Sequence, residues 1–215
     1  MIALLDLDRT LVDRDAGFAV WARAFAEEWG LTDEDVAWLH AEDRVHRQRG
    51  PFFDAVHARL PHTGAPADRW RAYRSLMPRV SPAFPGVVDA LGDLRSEGWR
   101  LVVVTNGRTQ TQVRKLRRTG VADVVHAWYV SEQVGARKPE GAIFAAALAG
   151  AGAAAAQEAW MVGDDPVADV GGGRAAGLRT AWVAHGRVWP APDEPPDLVA
   201  PTPRDALAAL AALPR

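Results

Sequence analysis

Cysteine is absent from this 215-residue chain, which excludes disulfides, thiolate metal sites and a cysteine nucleophile. Long hydrophobic runs are also absent, since the apolar segment at residues 2–5 is far too short for a signal peptide or a membrane-spanning helix. We therefore expect a cytoplasmic protein with no membrane partner. Neither sign of charge dominates: the formal net charge is -2, so the sequence indicates no general attraction to nucleic acid.

Lysine is scarce as well. Only Lys115 and Lys138 occur among the 25 lysine and arginine residues of the chain. Lys115 lies in the most basic segment, which also contains Arg114, Arg117 and Arg118. The apolar residues between them have helical spacing, so we interpret this segment as the solvated face of a helix rather than as a polyanion site.

Short apolar segments alternate with helical patterns along most of the chain. The apolar segments predict buried strands at residues 2–7, 100–104, 124–130, 159–162 and 179–183. The remaining patterns predict helices at residues 86–97, 109–118, 140–149, 167–176 and 203–213. This alternation favours an α/β fold with a Rossmann-like parallel sheet core and helices on both faces of the sheet.

An inserted segment at residues 14–81 breaks the alternation and contains no convincing strand. Aromatic residues recur in its first part at steps of three and four, which predicts a helix with one aromatic face: Phe18, Trp21, Phe25 and Trp29. About four helices fit the whole segment. We therefore expect a catalytic core made of residues 1–13 and 82–215, with residues 14–81 forming a helical cap domain.

Polar side chains follow the predicted strands at the points where the strands end. Asp6 and Asp8 follow the first strand, Thr105 and Asn106 the second, and Asp164 the fourth. Ligands of an open parallel sheet bind beyond the carboxyl ends of its strands, so we expect these groups to converge. Carboxylates gathered in one place repel one another unless a cation holds them together. Because only oxygen donors are available, a hard ion such as Mg²⁺ is favoured over zinc.

Four segments resemble, in order, the four motifs of the haloacid dehalogenase (HAD) superfamily. They are Asp6-Leu7-Asp8-Arg9-Thr10-Leu11-Val12, Thr105-Asn106-Gly107, Lys138-Pro139-Glu140, and Gly163-Asp164-Asp165 with Asp169. Four ordered matches, each at a predicted strand end or loop, are a specific signal. The helical insert lies where the C1-type caps of this superfamily occur. The chain departs from the pattern at Arg9, where the superfamily often has glycine or asparagine, and at Ala168, where asparagine is common.

The resemblance implies a role for each acid. Asp6 would be the nucleophile that accepts the phosphoryl group, and Asp8 the general acid and base. The metal ligands for Mg²⁺ would be Asp6, the backbone carbonyl of Asp8, and Asp164. Asp169 would support this site without touching the ion, or would simply be an acid in the first turn of a helix.

The resemblance also implies three groups that bind the substrate phosphate. These are the hydroxyl of Thr105, the backbone amide of Asn106 and the ammonium group of Lys138. The charge of Lys138 would neutralise both the phosphoryl group and Asp6. Lys138 and Thr105 are therefore counted, with Asp6 and Asp8, among the candidate catalytic residues.

Together these residues predict a Mg²⁺-dependent phosphatase that hydrolyses a small phosphorylated metabolite through an aspartyl-phosphate intermediate. A dehalogenase is disfavoured because cleavage of a carbon–halogen bond leaves no oxygen for Asp8 to protonate. Two alternatives stay open. One is a phosphomutase of the β-phosphoglucomutase type, which would use the same two aspartates. The other is a non-catalytic phosphate-ligand binding or regulatory protein. The sequence fits a monomer and a homodimer equally.

Overall fold

The computed structural model describes residues 1–46, 48–152, 158–191 and 193–214. The chain forms two compact units, one made of Met1–Asp13 and Ala83–Arg215 and the other of Arg14–Pro82. The first unit is built on a parallel sheet and the second is helical. Within the described ranges, no helix combines the length and the apolar character needed to cross a bilayer.

Six parallel strands form the sheet, in the order β3-β2-β1-β4-β5-β6. They are β1 (Ile2–Leu5), β2 (Arg100–Thr105), β3 (Ala127–Val130), β4 (Ala159–Gly163), β5 (Arg179–Val183) and β6 (Leu198–Ala200). The predicted α/β fold class is confirmed. The sequence did not predict β6, because three residues are too few for a recognisable pattern; pairing with β5 makes them a strand, with Leu198 opposite Ala181.

Helices cover both faces of this sheet. They are α5 (Val87–Ser96), α6 (Thr109–Arg118), α7 (Val121–Val124), α8 (Ser131–Val134), α9 (Gly141–Ala151), α10 (Gly172–Ala175) and α11 (Pro203–Ala211). Successive strand residues enter two separate apolar cores, as the alternation of side chains in a strand requires. Leu5 and Val103 share one core with α5 and α11, while Leu4 and Val102 share the other with α9.

The predicted helix at residues 167–176 is interrupted. A π-helical turn at Pro166–Gly171 precedes the short α10. The break coincides with close packing at Gly172, where an added Cβ would lie 2.9 Å from the Phe144 ring and from the Pro139 Cα. Glycine allows the backbone this approach, and hydrophobic periodicity alone does not reveal it.

The helical unit consists of four α-helices around an aromatic core. Its helices are α1 (Arg14–Trp29), α2 (Asp33–Val45), α3 (Arg49–Arg59) and α4 (Pro66–Val80), with a 3₁₀ turn at Pro61–Thr63. Trp21 stacks on Phe25 at 5.1 Å between ring centroids and meets Phe52 and Tyr73 edge-on. The aromatic face of α1 therefore forms the core of this unit, with Phe18, Trp21 and Phe25 all buried.

A buried acid in the same unit is held by two arginines. Asp43 is 5% exposed. Its carboxylate accepts hydrogen bonds from Arg14, at 2.7 and 2.5 Å, and from Arg49 at 2.5 Å. Burial alone would raise the pKa of Asp43, but the hydrogen bonds and positive charges of Arg14 and Arg49 outweigh it, so the pKa lies below its ordinary value.

Candidate active site

A tight loop directly after β1 carries the first two acids. Its backbone closes on itself through hydrogen bonds from the Val12 amide to the Leu7 carbonyl and from the Arg9 amide to the Val12 carbonyl, both 2.8 Å. Leu7 and Val12 are fully buried and anchor the loop to the core. Arg9 adopts φ 65°, in the left-handed region that glycine and asparagine tolerate best. The departure from the superfamily pattern therefore falls at a strained backbone position, while Asp6 and Asp8 lie on the ordered turn beside it.

Asp6 lies against a lysine that it shares with another acid. The Lys138 Nζ donates to Asp6 Oδ1 at 2.6 Å and to Asp169 Oδ1 at 2.7 Å. Lys138 is only 3% exposed. Burial disfavours its charged form, but the carboxylates of Asp169 and Asp6 outweigh burial and raise the pKa of Lys138. The ammonium group therefore stays charged at this point of the site.

Three carboxylates, two of them bonded to that lysine, lie close together. Asp6, Asp164 and Asp169 each offer an oxygen, and these oxygens lie within 4.8 Å of one another. Burial raises the pKa of Asp6 to about 7, with Asp169 adding to the rise and Lys138 opposing it. Burial and the nearby charge of Asp6 also raise the pKa of Asp164, against the opposing effect of Arg187. Burial and the neighbouring carboxylates therefore outweigh Lys138 at Asp6, and burial outweighs Arg187, Arg9 and His185 at Asp164.

This cluster fits a hard divalent cation. All three side chains offer carboxylate oxygens, which are the donors that Mg²⁺ prefers, and they lie at the carboxyl ends of the neighbouring strands β1 and β4. A bound cation would also offset the burial and the repulsion that raise the pKa of Asp6 and of Asp164. The side chain of Asp8 is not part of this group among the described residues, so Asp8 could contribute only through its backbone carbonyl.

Asp169 is held on both of its oxygens. One oxygen accepts the Lys138 bond, and the other accepts from the backbone amide of Asp165 at 2.9 Å. The side chain packs so closely on β4 that a Cβ added at Gly163 would lie 2.2 Å from Asp169 Oδ2. Asp169 lies in the first turn of the π-helical segment Pro166–Gly171, and it is also a buried acid, 1% exposed, that contacts Lys138.

Asn106 clamps the loop that carries Lys138. Its side-chain amide donates to the Lys138 carbonyl at 2.9 Å, and its side-chain oxygen accepts from the Lys138 amide at 2.8 Å. The sequence predicted only a backbone role for Asn106 and missed this one. Thr105, at the end of β2, is 1% exposed, and its hydroxyl oxygen accepts a hydrogen bond of 2.6 Å from Gln112.

Asp8 is bound by two side chains of α6 that the sequence analysis did not place in the site. The Lys115 Nζ lies 2.6 and 2.7 Å from the two Asp8 oxygens, and the Gln112 amide donates to Asp8 Oδ2 at 3.1 Å. The prediction that Lys115 belongs to a solvated helix face is wrong, because Lys115 is 4% exposed. Its basic neighbours Arg114 and Arg117 are exposed as expected. The scarcity of lysine was the only signal that set Lys115 apart.

Comparison with known proteins agrees with this geometry. A family model described as haloacid dehalogenase-like hydrolase matches residues 1–177, which is most of the chain. The chain belongs to this family. Among relatives of the haloacid dehalogenase-like hydrolase, phosphoserine phosphatase of Thermus thermophilus is 32% identical over 193 residues, covering 86% of this chain and 76% of the relative. Glyceraldehyde 3-phosphate phosphatase of Pyrococcus abyssi is 36% identical over 199 residues, covering 86% of this chain and 82% of the relative.

Solved structures of the family show the same fold. The HAD-hydrolase YfnB from Bacillus subtilis, in a crystal structure described as bound to magnesium, superposes with a TM-score of 0.87. It is 24% identical and covers 97% of each chain, so the likeness is one of fold. The family model confirms the predicted superfamily, and the two relatives that cover most of the chain are named phosphatases, so the protein is an enzyme.

Proposed function

We propose that this protein is a Mg²⁺-dependent phosphatase that hydrolyses a small phosphorylated metabolite through an aspartyl-phosphate on Asp6. The observation that carries the proposal is the pairing of Asp6 with Lys138 at 2.6 Å inside the cluster of Asp164 and Asp169. A carboxylate held beside a fixed ammonium group, at a cation-binding edge of the sheet, suits attack on a dianionic phosphoryl group.

In the first step, a carboxylate oxygen of Asp6 attacks phosphorus and the bond from phosphorus to the ester oxygen breaks. Asp8 enters this step protonated and gives its proton to the departing oxygen, so that the product leaves as an alcohol. Asp8 is then a carboxylate, the form that accepts the two hydrogen bonds from Lys115. Lys138, the Thr105 hydroxyl and the Asn106 backbone amide hold the phosphoryl oxygens during the transfer. Each well-placed donor of this kind contributes about 3–4 kcal/mol to transition-state binding.

In the second step, Asp8 takes a proton from water as the water oxygen attacks the phosphorus of the aspartyl-phosphate. The bond between phosphorus and the Asp6 oxygen breaks, which restores the Asp6 carboxylate and releases inorganic phosphate. Held by Asp6, Asp164 and the Asp8 carbonyl, Mg²⁺ would neutralise charge on the phosphoryl group. Asp169 supports this arrangement by keeping Lys138 in place, with its Oδ1 2.7 Å from the Lys138 Nζ.

The relatives that cover most of the chain support the proposed substrate class. Two of them are named for phosphoserine and glyceraldehyde 3-phosphate, and both of these are small phosphate esters. We propose an ester of similar size, with the helical unit Arg14–Pro82 acting as the cap that selects it. The expected location is the cytoplasm, where such metabolites occur.

The test is release of inorganic phosphate from p-nitrophenyl phosphate and from a panel of small metabolite esters. Wild type, Asp6→Asn and Asp54→Asn are compared with Mg²⁺ and with EDTA. Asp54 is exposed on α3, so Asp54→Asn makes the same chemical change away from the site. We expect Mg²⁺-dependent release that Asp6→Asn abolishes and Asp54→Asn leaves unchanged.

Two other outcomes would replace the proposal. Transfer of phosphate between positions of a sugar phosphate, without release, would identify a phosphomutase. Binding of esters without either reaction would identify a phosphate-ligand binding protein. Release that survives Asp6→Asn would exclude Asp6 as the nucleophile.

A further inference from the structure

Both lysines of the chain are buried at the site, and each binds a different aspartate of the loop that follows β1. Lys138 contacts Asp6, and Lys115 contacts both oxygens of Asp8. Burying an ammonium group costs several kcal/mol unless a partner compensates it, so a side chain at 4% exposure is held there by its partner. The Asp8–Lys115 contact is therefore a partly buried ion pair and not a weak contact between surface charges.

A second side chain on the same face of α6 completes the contact. Gln112 precedes Lys115 by three residues, which places both on one side of the helix. Its amide donates to Asp8 Oδ2 at 3.1 Å and to the Thr105 hydroxyl oxygen at 2.6 Å. Gln112 is 2% exposed, so it has little freedom to move. One amide thus ties the Asp8 carboxylate to the end of β2, where the phosphate is expected to bind.

We propose that Lys115 and Gln112 are positioning residues that set the orientation of the Asp8 carboxylate for proton transfer. This inference rests on the proposed function, in which Asp8 protonates the leaving oxygen. Proton transfer needs an approach of about 2.6–3.2 Å between heavy atoms, and the Asp8 side chain turns about two bonds that α6 restrains. Without the two contacts, the carboxylate would spend less time within reach of the ester oxygen.

The loss of activity expected when Asp8 is misoriented depends on the leaving group of the ester. A weakly basic leaving group such as 4-nitrophenolate departs with little help from an acid, whereas the more basic phenolate needs a proton. Loss of orientation at Asp8 should therefore harm phenyl phosphate far more than 4-nitrophenyl phosphate. The two esters have nearly the same size, so a change in general packing would affect both alike. The ratio of their kcat/KM values separates the two causes.

The experiment measures kcat/KM on both esters for wild type, Lys115→Met, Lys115→Arg, Gln112→Met and Asp8→Asn. Arg117→Met is the matched control, because it removes one exposed positive charge from the same helix. We expect Lys115→Met to lower the phenyl to 4-nitrophenyl ratio by at least about 10-fold, within the range of general acid catalysis. Lys115→Arg should restore part of the ratio, and Arg117→Met should leave it unchanged.

An equal loss on both esters in Lys115→Met and Gln112→Met would overturn the inference, since the two residues would then be purely structural. If Lys115→Met does not fold, Gln112→Met decides, because that change leaves no buried charge without its partner. Asp8→Asn distinguishes failure of the proposed function from failure of the positioning role alone. If Asp8→Asn leaves the ratio unchanged, Asp8 is not the general acid and the proposed function fails. If Asp8→Asn lowers the ratio while the α6 variants do not, only the positioning role fails.

Discussion

Asp6 and Asp43 are both buried acids paired with cations, yet their environments are opposite. Asp6, in the sheet unit, shares Lys138 with Asp169 and lies near Asp164, so negative charge is in excess. Asp43, in the helical unit, is paired with two arginines, Arg14 and Arg49. Burial raises the pKa of Asp6 to about 7, whereas the arginines hold the pKa of Asp43 below its ordinary value.

The difference separates a chemical site from a structural contact. An acid with surplus positive charge around it is satisfied by the protein alone, so Asp43 stabilises its unit without needing a ligand. An acid in a negative cluster is satisfied only when a cation or a proton arrives, so Asp6 is prepared for binding and reaction. Counting charges around each buried acid thus distinguishes the two roles, although both acids are almost equally inaccessible to solvent.

Removal of the positive charge of Lys138 should have the largest effect on activity. Lys138→Met is expected to lower kcat about 100- to 1,000-fold, because the phosphoryl group and Asp6 lose a preorganised positive charge. Steady-state kinetics at saturating Mg²⁺ measures this loss. Arg137→Met is the control, since Arg137 is exposed and adjacent in sequence. A fall of less than about 10-fold would mean that the charge of Lys138 is not used in the transition state.

The two acids should respond oppositely to neutralisation. Asp43→Asn is expected to lower the free energy of unfolding by about 3 kcal/mol, because Arg14 and Arg49 lose a buried charged partner. Asp6→Asn, measured in EDTA near pH 8, should raise the free energy of unfolding by about 1 kcal/mol, because it removes a disfavoured negative charge. Urea unfolding measures both, with Asp54→Asn as reference. If both variants lower the free energy of unfolding to the same extent, the environments of Asp6 and Asp43 do not differ in the way described.

Stabilisation by Mg²⁺ should depend on pH because Asp6 must be ionised to bind the ion. The pKa of Asp6 is raised to about 7, so its favourable contribution to metal-free stability is lost as pH rises from about 4 to 7. At about 100 times its Kd near pH 8, Mg²⁺ should add about 2.7 kcal/mol. Near pH 5, protons compete, and the gain should fall below about 1 kcal/mol. Thermal unfolding with Mg²⁺ and with EDTA measures the stabilisation at each pH. A stabilisation independent of pH would show that Mg²⁺ binding does not require ionised Asp6.

Much of this arrangement could be predicted from the residues in order. The strands β1, β2 and β4 are apolar runs with polar residues at their carboxyl ends, and strand ends in a parallel sheet share an edge. The order of strands and polar residues therefore predicts that Asp6, Thr105 and Asp164 lie near one another. It does not predict β6, which becomes a strand only by pairing with β5.

The sequence by itself predicted five of the six strands, the helical insert and the acids that follow the strands, because local periodicity and strand direction decide them. The resemblance already implied that Lys138 serves Asp6, but only the tertiary structure showed that Lys115 serves Asp8. Lys115 and Asp8 are separated by 107 positions in the chain, and nothing local distinguishes Lys115 from the exposed arginines beside it. The packing of α6 on the sheet turns Lys115 and Gln112 inward, because Leu116 is buried in the core and fixes the rotation of the helix.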